Sequence, residues 1–575
     1  MSSPRQIYTI SDFLLDRLQQ LGTKSIFGVP GDFSLTFLDY VEDKQGLQWI
    51  GTASELSAGY AADGYARVNQ SLSVVCTTFG VGEASLLNAC AGSYAENIPI
   101  LHIVGMPSTK LQANKVPLHH TYADGRFDNY FNMATFCTAE QLILEAKTVK
   151  SAAAQIDGLL RVAITRSQPV YLGLPSDLIH EPVDTTELEP QLIKEQILDT
   201  RLNLPLKDCV LQHVTSSIQK MWTAAERPCV LLDIGTVRSS AIPLVKRFIE
   251  ETGMTWFSTP MSKANGMSEM HPLYSGCYYG AVSRPEVKEH LESSDLIFSF
   301  GPLVSDTNTG GFSYKIPEDK TVELHSDHLS ILFATYPGFT YQNFIPQLID
   351  LLKATPPKAL LAPLDNAGYA PFKLDSDAPR LQQDSFWPQV ARFLKPEDVS
   401  VAETGTSSYG ILDARLPSLH QTQMLYGSIG WATGAALGAT LAAAEKGNRC
   451  VLFTGEGSAQ VTFQDVSQFM RLGLKPIIFV INNRGYTIER AIHGAHRSYN
   501  DVAEWDWQKV LSALGPKDRS QSYRVSTPKE LEMLIQSPWF QESDKVQLVE
   551  VMFEPDDCPR PLRLLAERIA KANAA

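Results

Sequence analysis

Arg449-Cys450-Val451-Leu452-Phe453-Thr454-Gly455-Glu456-Gly457-Ser458 and, one helical stretch later, Pro476-Ile477-Ile478-Phe479-Val480-Ile481-Asn482-Asn483-Arg484-Gly485-Tyr486 decide how this chain folds. Each segment is a short apolar run, rich in β-branched residues, that breaks off into turn chemistry: Gly-Glu-Gly in the first, Asn-Asn in the second. Two such runs joined by a helix predict parallel strands at Cys450–Phe453 and Pro476–Ile481, with the helix starting near Ser458. In a parallel sheet both strand ends lie on one edge, where loops gather ligands. Glu456 and Asn483 would bring side-chain oxygens there, and Gly485 a carbonyl oxygen. An all-oxygen set with spare positions suits Mg²⁺, which keeps phosphate oxygens and water in its octahedron. The glycines admit close backbone approach, and the helix start aims amide hydrogens at a phosphate. A Gly-x-Gly turn after a strand is common by itself; the paired Asn one βαβ unit later is what narrows the reading.

The same cycle of short strand, Gly-containing turn and helical period recurs along the chain. Thr9 caps a first helix that carries Leu14, Leu18 and Leu21 on one face. Strands are then expected at Ser25–Val29, Ser73–Phe79, Ile100–Val104 and Pro169–Leu174. The stretch Leu174 to Pro205 turns polar and proline-bearing and reads as a connector. A second α/β region has strands expected at Cys229–Ile234, Leu296–Phe300 and Thr321–Leu324, and the Pro/Ala-rich segment Ala354 to Leu381 reads as a second connector. The last region adds strands at Val399–Ala402 and Val546–Met552. The expectation is an α/β chain of three domains with parallel sheets flanked by helices: residues 6–185, 200–353 and 382–570, with a linker at 354–381.

Composition restricts the function classes. With 575 residues, 44% hydrophobic and 19% charged, the chain can bury several cores. A formal charge of −14 and the lack of a clustered basic face argue against nucleic acid. No apolar stretch of about 18 residues suggests a membrane span. The beginning, MSSPRQIYTISDF, lacks the apolar core of a signal peptide, and the ending AKANAA carries no address, so the expected location is cytoplasmic. The eight cysteines show no CxxC spacing and read as buried reduced thiols.

A second carboxylate stands out in Thr52-Ala53-Ser54-Glu55-Leu56-Ser57-Ala58-Gly59-Tyr60-Ala61-Ala62-Asp63-Gly64. Glu55 leads a helix of small residues suited to close packing, where a carboxylate also complements the helix dipole. Together with Val29-Pro30-Gly31-Asp32, Phe79-Gly80-Val81-Gly82-Glu83, Gly92-Ser93-Tyr94-Ala95-Glu96, His119-His120-Thr121, His325-Ser326-Asp327-His328, Ala402-Glu403-Thr404-Gly405-Thr406-Ser407, Gly427-Ser428-Ile429-Gly430 and Gly485-Tyr486-Thr487-Ile488-Glu489, the sequence resembles, over nearly its whole length, the pyruvate and indolepyruvate decarboxylase group of thiamine-diphosphate enzymes. It departs at Glu456, where that family usually carries Asp.

The resemblance implies a thiamine-diphosphate-binding fold at both ends, a Rossmann-like central domain, and thiamine diphosphate with Mg²⁺ as cofactors. It also implies a homodimer or homotetramer, because the family's cofactor lies between domains of two copies. Glu55 would hydrogen-bond the aminopyrimidine. Thr404, Gly427, Ser428, Gly457, Ser458, Tyr486, Thr487 and Ile488 would touch the cofactor, and Ile429 would wedge its two rings into a V. Glu456, Asn483 and Gly485 would hold the metal. Asp32, His119, His120 and Glu489 would relay protons around the reacting carbon; from the residues alone they read equally as turn or surface groups, the histidines lacking metal spacing to a carboxylate.

The implied activity is non-oxidative decarboxylation of a 2-oxo acid, with pyruvate first, to an aldehyde and CO₂ through a thiamine-bound enamine. Alternatives are an aromatic or branched-chain 2-oxo acid as substrate, a carboligase forming acyloins, or a weakly catalytic regulatory paralogue. The substrate pocket is expected near Ser408, Tyr409, Ile488, Phe312 and the last helix. The central domain has no GxGxxG fingerprint and is expected to bind neither FAD nor NAD. No cysteine stands at the activator position of some fungal relatives, around Cys229 to Ser240, so thiol-mediated activation is not expected.

Overall fold

Those short apolar runs assemble into three sheets in a computed structural model that describes residues 8–186, 188–202 and 206–574. The first sheet comprises β1 (Ser25–Gly28), β2 (Gln48–Gly51), β3 (Ser73–Thr78), β4 (Ile100–Met106), β5 (Glu140–Ile143) and β6 (Val170–Pro175). The second holds β7 (Pro228–Leu232), β8 (Thr255–Ser258), β9 (Tyr274–Cys277), β10 (Leu296–Phe300), β11 (Thr321–Leu324), β12 (His328–Ile331) and β13 (Ala334–Pro337). The third holds β14 (Val399–Ala402), β15 (Leu419–Thr422), β16 (Cys450–Gly455), β17 (Ile477–Asn482), β18 (Ser520–Val525) and β19 (Val546–Met552).

The first sheet runs in the order β2-β1-β3-β4-β6-β5 and the third β15-β14-β16-β17-β19-β18, which is the same topology twice. Every pairing in both is parallel. Helices cover a parallel sheet on both faces, and so β3, β4, β6 and nearly all of β16, β17 and β19 are buried throughout. The central sheet, β13-β12-β11-β10-β7-β8-β9, keeps a parallel Rossmann order in its first five strands and closes with an antiparallel hairpin, β12–β13. At its switch point, between β7 and β10, Asp233 accepts hydrogen bonds from Leu303 N at 2.9 Å, Thr259 Oγ1 at 2.5 Å and Asn308 Nδ2 at 3.0 Å. These bonds tie together the loops that follow β7, β8 and β10.

Chain contacts divide the molecule into two units. One comprises the residues up to Asp199 together with the distant segment Gly434–Ala442; the other comprises Thr200–Thr433 and the residues from Ala443 onward. Within the first unit Thr9 caps the helix Ile10–Gln20 through a reciprocal pair, Asp12 N to Thr9 Oγ1 at 3.2 Å and Thr9 N to Asp12 Oδ2 at 3.0 Å. The helix Glu55–Asn69 meets the segment Gly434–Ala442 backbone to backbone. A methyl on Gly64 would stand 2.0 Å from Ala435 O, and one on Gly438 would stand 1.8 Å from Ala61 O. The small residues after Glu55 and the Gly434–Gly438 ridge therefore serve one crossing.

In the second unit a continuous apolar cluster joins Phe298 and Phe300 of β10 to Tyr409, Leu412, Leu562 and Leu565. Phe386, Trp387, Phe453 and Phe479 form the core under the third sheet.

Two expectations need correction. The connector from Leu174 to Pro205 carries the helix Lys194–Leu202, with Leu192 and Ile197 buried against the first unit's core. Residues 187 and 203–205 of that connector, the first domain's expected start at residue 6, and the chain's final residue lie outside the described residues. The segment Ala354 to Leu381 is no free linker. Lys358 N donates to Ala225 O at 2.9 Å, Leu361 O accepts from Thr255 Oγ1 at 2.7 Å, and the Tyr369 hydroxyl lies 3.0 Å from Lys263 Nζ. One backbone carbonyl and two side chains of the central region hold a segment whose own sequence has no periodicity.

Candidate active site

In the first unit, candidate site residues collect where β1 and β3 end and diverge, the switch point of the sheet. Gly31, after β1, comes so close to the end of β3 that a methyl on it would lie 2.4 Å from Thr78 Cβ. Asp32 follows, and its Oδ2 lies 2.8 Å from His119 Nε2, a partner 87 positions away. The histidines lack metal spacing to a carboxylate along the sequence, and the fold supplies one in space. The His119 ring stacks on Phe33 at 5.1 Å, and the His120 ring stands 4.5 Å from it at 68°. His120 is held in the left-handed region at φ +65°, with its carbonyl seated on Gly80. No side chain fits there: a methyl on Gly80 would be 2.1 Å from His120 O.

Glu83 fixes that turn. Buried, it accepts from Gly80 N at 2.7 Å and from the Tyr171 hydroxyl at 2.8 Å, and burial pushes its carboxyl up to about 7. Glu55 opens its helix behind the Ser54 cap, half-buried, with Oε1 3.2 Å from where a Gly82 methyl would stand. One glycine-bearing turn thus underlies both Glu55 and His120.

The second unit repeats the switch point at the ends of β14 and β16. The helix after β16 begins at Glu456, two residues before the expected Ser458, so the carboxylate sits in its first turn. Glu456 Oε1 accepts from Gly485 N at 2.5 Å. One end of the Asn483 carboxamide lies 3.2 Å from Glu456 Oε2 and 2.7 Å from Gly485 O, while the other end lies 2.8 Å from Thr487 Oγ1. With nitrogen inward the amide donates to both; with oxygen inward three oxygens face one another, which only a cation makes favourable. Burial pushes the Glu456 carboxyl up to about 7, partly offset by backbone N–H donors, Gly485 N first, and by the nearby Arg490 guanidinium. The donor set fits Mg²⁺.

Arg490 staples this loop, donating to Asn483 O at 3.2 Å and Arg484 O at 2.6 Å. Gly457 packs against the Tyr486 ring, and Ser458 and Thr487 are buried beside them. A cleft of about 710 Å³ opens alongside, lined by Glu456, Asn482, Arg484, Trp505, Trp507 and Glu550.

Across the same edge, Gly427 lies against Thr404, and Ile429 projects, 40% exposed, between Ser428 and Gly430. Glu403 ties these pieces together. Fully buried, it accepts from Thr404 N at 3.1 Å and from Gly430 N and Ala432 N, each at 3.2 Å. Its carboxyl is pushed up to about 8 by burial, partly offset by those three N–H donors. Ile488 and Tyr409 join the cluster of Leu562 and Leu565 from the last helix, while Phe312 is exposed and Glu489 lies exposed in the first turn of Thr487–His493.

Comparison with known proteins agrees with this layout. The thiamine pyrophosphate enzyme N-terminal TPP binding domain matches residues 8–130, the central domain 216–335 and the C-terminal TPP binding domain 404–551. The chain belongs to the thiamine pyrophosphate enzymes. Within that family it is 40% identical over 582 residues to the pyruvate decarboxylase of Candida glabrata, covering 98% of this chain and 99% of that one. It is 39% identical over 577 residues to pyruvate decarboxylase isozyme 2 of Saccharomyces cerevisiae, with the same coverage. It is also 39% identical to the pyruvate decarboxylase of Aspergillus terreus, over 98% of this chain and 97% of that one.

Thiamine diphosphate, held through Mg²⁺, is the cofactor of this family's fold, and the Glu456–Asn483–Gly485 oxygens fit its metal. Glu83, Glu403 and Arg490 are absent from a motif-based reading of such an enzyme. Glu83 and Glu403 do lie inside recognised motifs, but their partners are mostly backbone N–H groups brought in by the fold. All eight cysteines are free, and six of them are buried. Among the described residues no helix is long and apolar enough to cross a membrane.

Proposed function

We propose that this chain decarboxylates pyruvate non-oxidatively, releasing acetaldehyde and CO₂. The observation that carries the reading is the Asp32–His119 pair beside His120 at the first unit's switch point, in a chain 39–40% identical throughout to proteins named pyruvate decarboxylase. Bound thiamine diphosphate supplies the carbanion chemistry and the electron sink.

The chain's own residues do the rest. Glu456, Asn483 and Gly485 hold the metal that anchors the diphosphate, with Gly457 and Ser458 giving the backbone room to approach. Glu55 hydrogen-bonds the ring nitrogen of the aminopyrimidine, and Ile429, with Thr404, Gly427, Ser428, Tyr486, Thr487 and Ile488, sets the rings' posture. The proton between His119 Nε2 and Asp32 Oδ2 is the one delivered to the product carbon, with His120 and Glu489 completing the relay. Protonating that carbon favours aldehyde release over attack on a second carbonyl. Ile488, backed by the buried Tyr409–Leu562–Leu565 cluster, would offer the substrate side chain an apolar surface that disfavours water.

The reading requires the Glu55 half from one copy and the Glu456 half from another, hence a homodimer or homotetramer, in the cytoplasm. The test is aldehyde and CO₂ release from pyruvate with Mg²⁺ and thiamine diphosphate, followed by acids of growing side chain. Acetolactate as the main product, or no turnover of any 2-oxo acid, would overturn it.

A further inference from the structure

The Asp32, His119 and His120 side chains bring one ligand atom each to within 4.8 Å of one another, outside the oxygen site of the second unit. We propose that these three residues form a second cation site, selective for zinc-class ions, and that filling it stops the proton relay. The inhibitory half of the proposal rests on the function proposed above; the binding half does not.

The donor chemistry separates the two sites. Two imidazoles and one carboxylate suit Zn²⁺, Co²⁺, Ni²⁺ or Cu²⁺, whereas Mg²⁺ takes oxygen and gives up water reluctantly. At metal–ligand distances of about 2.0–2.2 Å, tetrahedral donors stand roughly 3.3–3.6 Å apart. The His119–Asp32 contact of 2.8 Å must therefore open a little and the third donor close by about an ångström. Both side chains are about half exposed, at 58% and 49%, which leaves solvent-side room for these small rotations.

The cluster is also held from beneath. Phe33 stacks under His119 at 14° and meets His120 edge-on, and the His120 backbone is fixed against the Gly80 turn that Glu83 braces. An ion bound there takes the lone pair of His119 Nε2, and the proton that nitrogen shares with Asp32 passes to solvent. Three protein ligands leave at least one position open, as in exchangeable rather than structural zinc sites.

Cobalt reports the geometry directly. The holoenzyme, saturated with Mg²⁺ and thiamine diphosphate, is titrated with Co²⁺ and then with Zn²⁺. The expected result is an intense visible band of four- or five-coordinate cobalt, saturating at one ion per chain and displaced by zinc. It should weaken at least about tenfold in affinity in both His119→Gln and Asp32→Asn, since losing a ligand costs no less than losing a ligand's outer hydrogen-bond partner. A thermal denaturation midpoint matching the wild type verifies that each variant is folded. A wild-type spectrum showing only weakly absorbing octahedral cobalt would overturn the proposal, as would a band unchanged in both variants. Zinc should inhibit aldehyde release reversibly, with a chelator restoring it; full turnover with the cobalt site occupied would overturn the inhibitory half. A cobalt band in a protein that turns over no 2-oxo acid would instead refute the function and leave the site standing.

Discussion

The first and third sheets share one strand order and one place for loops, yet they put opposite chemistry there. At the β1/β3 edge the polar groups are a half-exposed carboxylate and two imidazoles that face one another. At the β14/β16 edge they are buried oxygens locked by backbone N–H donors and by Arg490. The topology fixes where a ligand is met, and loop residues decide whether it is gripped or worked on. A buried carboxylate braces each edge in the same manner, Glu83 under the Gly80 turn and Glu403 under Gly430.

The sharpest way to break the comparison is to exchange the losses. Glu456→Gln should abolish Mg²⁺-dependent cofactor retention in gel filtration, with activity down by about 10³-fold or more. Glu55→Gln should retain the cofactor and lower kcat about 10²–10⁴-fold. Mixing the two inactive proteins should restore part of the activity, because one pairing in a mixed dimer keeps both intact halves. Failure of the mixture to recover would remove the assignment of the halves to different copies. A smaller effect is expected for His119→Gln: kcat down about 10²-fold, with acyloin products rising relative to aldehyde by chromatography.

How much of this was legible beforehand depended on range. The Gly-Glu-Gly and Asn-Asn endings announced the oxygen site because each sits directly after its own strand. Asp32 and His119, 87 positions apart, carry no local sign of their contact. Nor does a glutamate inside a motif show that its partners are amide hydrogens, so Glu83, Glu403 and Arg490 went unassigned. The helix Lys194–Leu202 was hidden by polar, proline-bearing surroundings, and only burial of Leu192 and Ile197 explains it.

Two predictions of stability refine the contrast. Gly64→Ala should destabilise the first unit by about 2 kcal/mol, read as a lower denaturation midpoint, since the added methyl meets a carbonyl rather than a yielding side chain. Glu403 probes the second unit through pH. Its folded-state pKa, about 8, lies above the ordinary 4.5, so between these values the folded protein holds a proton that the unfolded chain has released. Stability therefore falls as pH rises through that window, by at most a few kcal/mol (on the order of 1.4 per pH unit). Glu403→Gln should flatten that slope in cofactor-free protein, measured by denaturant midpoints from pH 5 to 8.

The segment Gly434–Ala442 has a bearing on biogenesis. The first unit is completed by residues that leave the ribosome only after the whole of 200–433 has been made. At about 5–20 residues per second, its glycine-lined seat stays empty for some tens of seconds. A nascent chain halted in that interval presents an unfinished surface to chaperones, however well its own first sheet has formed.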